Sequence, residues 1–330
     1  MTDKNKQDWG NYWQGRTADS SGEVLVGVGI EHNEKLAAYW TTCFNGMNKN
    51  SSVLDMACGA GSVLRHAKAN GFTDLTGVDI SKDAIAAMQK EFPNAEGIVA
   101  PVEATGLADG SYSLVVSQFG FEYAGSHRQV LAAAREMARL VSSDGQFIAL
   151  CHIKGGGIEQ EVNGHLRDIK DMTKFGFIAA AKAVFLALDA AEKTPSIATK
   201  TTYEKATQAL VEPRDKLTVW INAGQGSGGE VHKSEIHKLG QHLYNGTVEL
   251  FTRRKAFSLA DIIDWFDGMQ KEIDAYRGRM QSMRQSALSE KDARNILSVF
   301  KDMGFVTENP EHFYLAGDNK PAAWVLRASK

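Results

Sequence analysis

The stretch Val53-Leu54-Asp55-Met56-Ala57-Cys58-Gly59-Ala60-Gly61-Ser62 decides the fold. A short apolar run ends in a carboxylate, glycines follow at 59 and 61, and a helical pattern begins at once. Glycine there lets the backbone turn sharply and lets a ligand approach with no Cβ in the way. The carboxyl end of a strand is also where open α/β sheets bind their ligands. On its own such a loop can equally be a plain tight turn, and two details sharpen it. The dinucleotide fingerprint GxGxxG needs glycine at 64, where Leu64 stands, so NAD and FAD are disfavoured. The next apolar run, Thr76-Gly77-Val78-Asp79-Ile80-Ser81, places a carboxylate 18 residues after Gly61, where an acidic side chain accepts hydrogen bonds from ribose hydroxyls. An acid beside the loop also suits an ammonium or sulfonium charge, a role that Asp55 can share.

Outward from this loop, the spacing predicts strands over 52–56, 73–79, 96–100, 112–118 and 145–152, alternating with helices over 61–70, 82–91 and 127–141. That alternation is the pattern of a parallel sheet with crossover helices. Ser81 caps the second of these helices, Pro93 follows its end, and Asp144-Gly145 supplies the turn before the last strand. Before the sheet come Trp9, Tyr12 and Trp13, a glycine-containing loop at 22–29 and a helix over 31–44. After His152 the alternation stops and the chain reads as helix. The clearest case starts at Ser258 and carries Leu259, Ile262, Ile263, Phe266, Met269, Ile273 and Tyr276 on one face. Another runs from Ser289 to Met303 and stops at Gly304. β character returns at 312–315 and 322–326 as a hairpin around Gly317-Asp318-Asn319-Lys320-Pro321. The expected organisation is an N-terminal cap over 1–50, a core over 51–153, a helical insertion over 154–305 and a closing hairpin over 306–330.

Of 330 residues, 43% are hydrophobic and 23% charged, the balance of a globular chain long enough for a sizeable core. Lys plus Arg number 37 against 40 Asp plus Glu, so the broad cationic surface of a nucleic-acid binder is missing and no nucleic-acid partner is expected. Cys43, Cys58 and Cys151 form no CxxC, which points away from disulfides and zinc and toward a reducing, cytoplasmic location. The N-terminus has no apolar stretch of signal-peptide type. The run from Phe175 to Ala191 carries Lys182 and Asp189 and falls short of the ~20 apolar residues of a membrane span, so no membrane association is expected.

The segment from about 51 to 153 resembles a class I S-adenosylmethionine-dependent methyltransferase of small-molecule type. Asp55-x-Ala57-Cys58-Gly59-x-Gly61 matches that family's first motif, and Asp79 its ribose-binding acid. Leu107-Ala108-Asp109-Gly110-Ser111-Tyr112 through Ser117 resembles the approach to and course of its fourth strand. Val130-Leu131, Glu136 through Val141 and Asp144-Gly145 resemble the helix and turn before its fifth. The resemblance implies an α/β, Rossmann-like methyltransferase sheet with helices on both faces, an N-terminal cap and a mostly helical insertion between the fifth and sixth strands. It implies S-adenosylmethionine as cofactor, S-adenosylhomocysteine as product and in-line transfer to an O, N, S or C atom of a small molecule. Cofactor-binding positions carried over are Asp55, Ala57, Gly59, Gly61, Asp79, Ile80, Val102 and Gln118. Tyr12 or Arg16 would meet the methionine carboxylate from the aromatic cap. Pro101 stands where the family often has Asp, and proline donates no N–H, so Glu103 becomes the nearest acceptor for the adenine amine.

In-line transfer needs a base only where the nucleophile arrives protonated. Glu122, Tyr123 and His152, near the ends of the fourth and fifth strands, are the candidates for that role, each otherwise readable as a satisfied loop or strand-end polar group. His232, His237 and His242 are spaced by five, which puts them on different faces of a helix, and no metal site is expected. The run Gly224-x-Gly226-x-Gly228-Gly229 has no preceding strand and no Lys-Ser/Thr after it, and reads as a connection within a lid. The rival readings are an RNA or protein methyltransferase that docks through the insertion and a non-catalytic S-adenosylmethionine-binding protein. The insertion's helical surface could also carry a homodimer.

Overall fold

The structure, a computed structural model, describes residues 30–223, 235–315, 317 and 319–330. Tyr12 and Arg16, like Trp9, Trp13, the 224–229 glycine run and His232, lie outside the described residues. The chain divides into two compact units, Met1–Val162 with Gly278–Lys330 and Asn163–Arg277.

The first unit is built on one sheet. Helix α1 (Ile30–Phe44) precedes β1 (Val53–Met56), α2 (Ser62–Ala69), β2 (Leu75–Asp79), α3 (Lys82–Glu91), β3 (Glu96–Val99), β4 (Tyr112–Gln118), α4 (His127–Leu140) and β5 (Val141–His152). Strand order is β3-β2-β1-β4-β5-β8-β6, with β1 to β5 parallel. The closing strand β8 (Ala323–Ser329) runs antiparallel to β5. All four residues of β1 are buried, as expected of a strand covered on both faces. Ser81 caps α3 by accepting the Ala84 N–H at 3.2 Å, and Asp83 and Lys90 sit where the helix dipole favours them. The chain winds away from β1 through β2 to β3, then returns to pair β4 on the other side of β1. Ligands bind at such a reversal, at the carboxyl ends of β1 and β4.

Two departures from the expected elements have local causes. β5 starts at Val141 instead of 145 because the strand is interrupted rather than preceded by its turn. Tyr112 pairs with Val141 and Leu114 with Gln146, so Ser142–Gly145 bulge out of register. A Cβ on Gly145 would lie 2.7 Å from Val141 Cγ1 and 2.8 Å from Ser142 Oγ, and only glycine closes this bulge. The outer partner of β8 is split into β6 (Val306–Thr307) and β7 (Glu311–Phe313). Pro310 falls in the gap, where it has no N–H for the ladder.

The second unit, Asn163–Arg277, is helical and narrower than the 154–305 insertion expected. Its boundaries fall within α5 (Gly157–Lys174) and α9 (Leu259–Ser286), and it holds α6 (Phe177–Lys193), α7 (Ile197–Ala223) and α8 (Glu235–Thr252). Helix α10 (Glu290–Asp302), read as part of the insertion, belongs to the sheet unit. Its apolar face, Ala293, Ile296, Leu297 and Phe300, joins the sheet's core, and the Phe300 ring stacks on Phe147 of β5 at 4.2 Å. Within the helical unit, a Cβ on Gly240 would lie 2.7 Å from Trp220, and one on Gly246 2.3 Å from Trp265, so each glycine of α8 admits an indole. A cavity of about 280 Å³ is lined by Met172, Phe177, Leu243 and Ile273 with Lys182 and Gln270. Its polar groups are paired, Lys182 with Asp267 at 2.6 Å and Gln270 with Asp274 at 3.1 Å.

Candidate active site

The carboxyl ends of β1 and β2 meet through Asp79. Its Oδ2 accepts the Gly59 N–H at 3.0 Å and its Oδ1 the Ser81 N–H at 2.8 Å, so one carboxylate fixes the glycine loop and starts α3. Each oxygen keeps a further lone pair for a ligand hydroxyl. Burial raises the Asp79 pKa, and the backbone N–H bonds oppose that rise. The loop itself is left-handed at Ala57 (φ 59°), Gly59 (53°) and Gly61 (87°). At Gly61 packing rather than ligand approach excludes a side chain, because a Cβ would lie 2.9 Å from the Phe92 ring. Non-glycine residues hold such angles only at a cost, so Ala57 marks a strained turn kept by its surroundings.

Asp55 is 1% exposed, and neither carboxylate oxygen has a hydrogen-bond partner. Burial, with Asp79 adding like charge, pushes its pKa well above the usual carboxylate range. An unpartnered buried acid of this kind costs about 1–3 kcal/mol or more in the free protein, which a cationic or donating ligand would relieve.

The β4 end supplies the opposite wall. Ser117 Oγ donates to Met56 O at 2.6 Å and ties β4 to β1. Gln118 accepts the indole N–H of Trp40, a partner 78 residues away that no local signal in the sequence revealed. Phe119 is left-handed (φ 50°), and Gly120 packs against the loop so closely that a Cβ would lie 2.6 Å from Ala57 Cβ. Glu122, 1% exposed, follows in a 3-10 turn (Phe121–Ala124). Its Oε1 accepts the His152 backbone N–H at 3.0 Å and lies 2.8 Å from His152 Nδ1. The Tyr123 ring stands edge-on to His152 at 5.6 Å, and burial with the Glu122 charge pushes its hydroxyl pKa well up. The three candidate catalytic residues therefore sit together. Of the remaining candidates, Ile80 is half-buried after Asp79, Val102 is buried in the sheet's core, and Glu103 is half-exposed in the loop after β3. Pro101 O accepts the Ala104 N–H at 3.0 Å, which makes that loop a turn.

The family described as methyltransferase domain matches residues 53–145, the span from β1 through the bulge of β5. The chain carries a methyltransferase domain. No curated protein matches the sequence. Solved structures similar to the chain include the YcgJ protein of Bacillus subtilis, 22% identical over 42% of this chain and 60% of that one with a TM-score of 0.34. Also similar is the PH0226 protein of Pyrococcus horikoshii, 22% identical over 42% and 67% with a TM-score of 0.35. The sugar N-methyltransferase KedS8 of Streptoalloteichus is 23% identical over 40% and 57% with a TM-score of 0.34. The chain thus spans 60% of the length of the first and 57% of the last. Within the methyltransferase domain fall the glycine loop, Asp55, Asp79, Gln118, Glu122 and Tyr123. His152 lies seven residues past its end.

Among the described residues no three His, Cys, Asp or Glu side chains are grouped as metal ligands, and His237 instead stacks on Trp220 at 4.1 Å. Also among the described residues, no helix is long and apolar enough to cross a membrane.

Proposed function

We propose that the protein transfers a methyl group from S-adenosylmethionine to a small molecule. The observation that carries this reading is Asp55, a fully buried carboxyl with both oxygens unpartnered at the carboxyl end of β1, beside Asp79. S-adenosylmethionine supplies an electrophilic methyl on a cationic sulfur, together with an ammonium group and two ribose hydroxyls. Asp55 would answer the positive charge and Asp79 the ribose hydroxyls. The left-handed turn at Ala57 and Gly59 lets the chain pass close to the ligand, with Gly61 packed on Phe92 behind it, Ile80, Val102 and Glu103 on the adenine side and Gln118 on the β4 side. Tyr12 and Arg16 remain the proposed partners of the methionine carboxylate.

The acceptor side is formed by Glu122, Tyr123 and His152, buried together at the ends of β4 and β5. Their enclosure supports a small acceptor, because in-line displacement needs alignment and exclusion of water. Three free cysteines and a net charge of −3 accord with a reducing, cytoplasmic setting and with no nucleic-acid partner.

The test is to incubate the protein with methyl-labelled S-adenosylmethionine and cell extract separated by size. Label is expected in the low-mass fraction. Label confined to RNA or protein would replace this reading with a macromolecular one, and binding without transfer to any fraction would leave a non-catalytic cofactor-binding protein.

A further inference from the structure

We propose that His152, held by Glu122, is the base that takes the acceptor's proton, and that the acceptor is a hydroxyl compound methylated on oxygen. This rests on the methyl-transfer reading above. The two residues stand at the ends of adjacent parallel strands, and Glu122 Oε1 binds both the backbone N–H of His152 and its Nδ1, at 3.0 and 2.8 Å. Glu122 Oε1 already accepts the His152 backbone N–H, so its contact with the ring places the proton on Nδ1 and leaves Nε2 with a bare lone pair. That Nε2 is buried without a partner in a residue 3% exposed, and Glu122 Oε2 is likewise unpartnered. Most buried side-chain nitrogens that serve structure alone are satisfied.

The pair also faces the right place. The Phe119 ring lies 4.5 Å from the His152 ring, and its neighbour Gly120 packs directly on Ala57 of the glycine loop. Two strand spacings, about 10 Å, separate β5 from β1, with β4 between them. Tyr123 and Cys151 are both pushed to high pKa by burial and by the Glu122 charge, so neither competes for the proton at neutral pH.

The acceptor class follows from what needs such a base. A neutral amine already offers its lone pair and sheds a proton after transfer, a carboxylate is ionised, and a thiol ionises near neutral pH. An alcohol or phenol arrives protonated and gains most from a positioned imidazole. In the step, the acceptor O–H proton passes to Nε2 and an oxygen electron pair forms the bond to the methyl carbon. The carbon–sulfur bond breaks with its pair going to sulfur, which cancels the sulfonium charge. Glu122 stabilises the resulting imidazolium, which later returns its proton to water. Glu122 acts through His152 and is a positioning residue. The Phe119 and Tyr123 rings pack against the His152 ring at 4.5 and 5.6 Å and hold it in place.

The test compares the full-length wild type with His152→Gln, Glu122→Gln and Glu122→Asp. Calorimetric titration with S-adenosylhomocysteine comes first, and equal affinity is expected throughout. Transfer from S-adenosylmethionine is then measured against phenols and catechols, alkyl thiols and primary amines. Phenols or catechols should be methylated, with kcat falling about 100-fold or more in His152→Gln while KM for the acceptor changes less than about threefold. The acid limb of the kcat/KM–pH profile should vanish in that variant, and Glu122→Asp should recover part of what Glu122→Gln loses. The nitrogen-15 shifts of His152 in the wild type should show a proton on Nδ1 and none on Nε2, a readout that needs no substitution to fold. The opposite tautomer, His152→Gln at near wild-type rate on hydroxyls, or a wild type that methylates thiols, amines or nothing in the panel would overturn the proposal. Failure of the wild type to bind S-adenosylhomocysteine would instead remove the methyl-transfer reading beneath it.

Discussion

The sheet unit and the helical unit treat their polar groups in opposite ways. In the helical unit the buried His165 bonds the Tyr276 hydroxyl at 2.8 Å, Lys182 meets Asp267, and Arg277 holds Asp274 at 2.6 Å. Among the described residues it has no buried side-chain atom without a partner and no left-handed residue other than glycine. Besides the Tyr39 hydroxyl on α1, the sheet unit leaves Asp55, Glu122 Oε2 and His152 Nε2 unpartnered and strains Ala57 and Phe119, these five at the carboxyl ends of β1, β4 and β5. Unmet hydrogen bonds and strain persist where the surrounding fold enforces them and a ligand makes use of them. The difference assigns chemistry to the strand ends of the sheet unit and a structural character to the helical one.

The largest effect expected is on stability. Phe300 is fully buried between Phe147 and Phe305, so Phe300→Ala should cost about 3–5 kcal/mol, read from denaturant unfolding. If α10 belongs to the sheet unit, the variant should lose cofactor affinity along the same denaturant curve as sheet structure. Loss confined to helical signal would break the division drawn above.

Asp55→Asn sharpens the contrast from the other side. Replacing an unpartnered buried acid by a neutral amide should stabilise the free protein by about 1–2 kcal/mol at neutral pH while weakening S-adenosylhomocysteine binding. The pH dependence has a definite sign. Because the folded-state pKa values of Asp55 and Asp79 are raised, the native state holds protons that the unfolded chain has released. Stability should therefore be fullest below the ordinary carboxylate pKa and fall as pH rises through the raised values, and Asp55→Asn should flatten that fall. A melting temperature that rises over the same interval, or no change in slope with Asp55→Asn, would contradict the assignment.

Legibility in the sequence followed the same divide. The five parallel strands were legible because apolar runs alternate with amphipathic stretches, and Ser81, Gly61 and Asp79 punctuate them. Helix α3 and strand β4 fall at 82–91 and 112–118, the limits their patterns predict. The interruption of β5 and the splitting of β8's partner by Pro310 were not legible, because both depend on cross-strand register. Helix α10 was misplaced for a related reason. Its apolar face is visible in the sequence, but the surface that it covers is not. In the candidate site, each residue at a strand end could be nominated one at a time. The pairing of Glu122 with His152 across 30 positions, and of Trp40 with Gln118 across 78, appears only when the strands are laid side by side.

Calorimetric titration of wild type and Asp79→Ala with S-adenosylhomocysteine probes the cofactor site most directly. Micromolar, one-to-one binding to the wild type is expected, with a loss of about 1.5–3 kcal/mol in Asp79→Ala from the missing ribose hydrogen bonds and the loosened Gly59 turn. Absence of binding to a folded wild type, or equal affinity in the two proteins, would contradict that expectation.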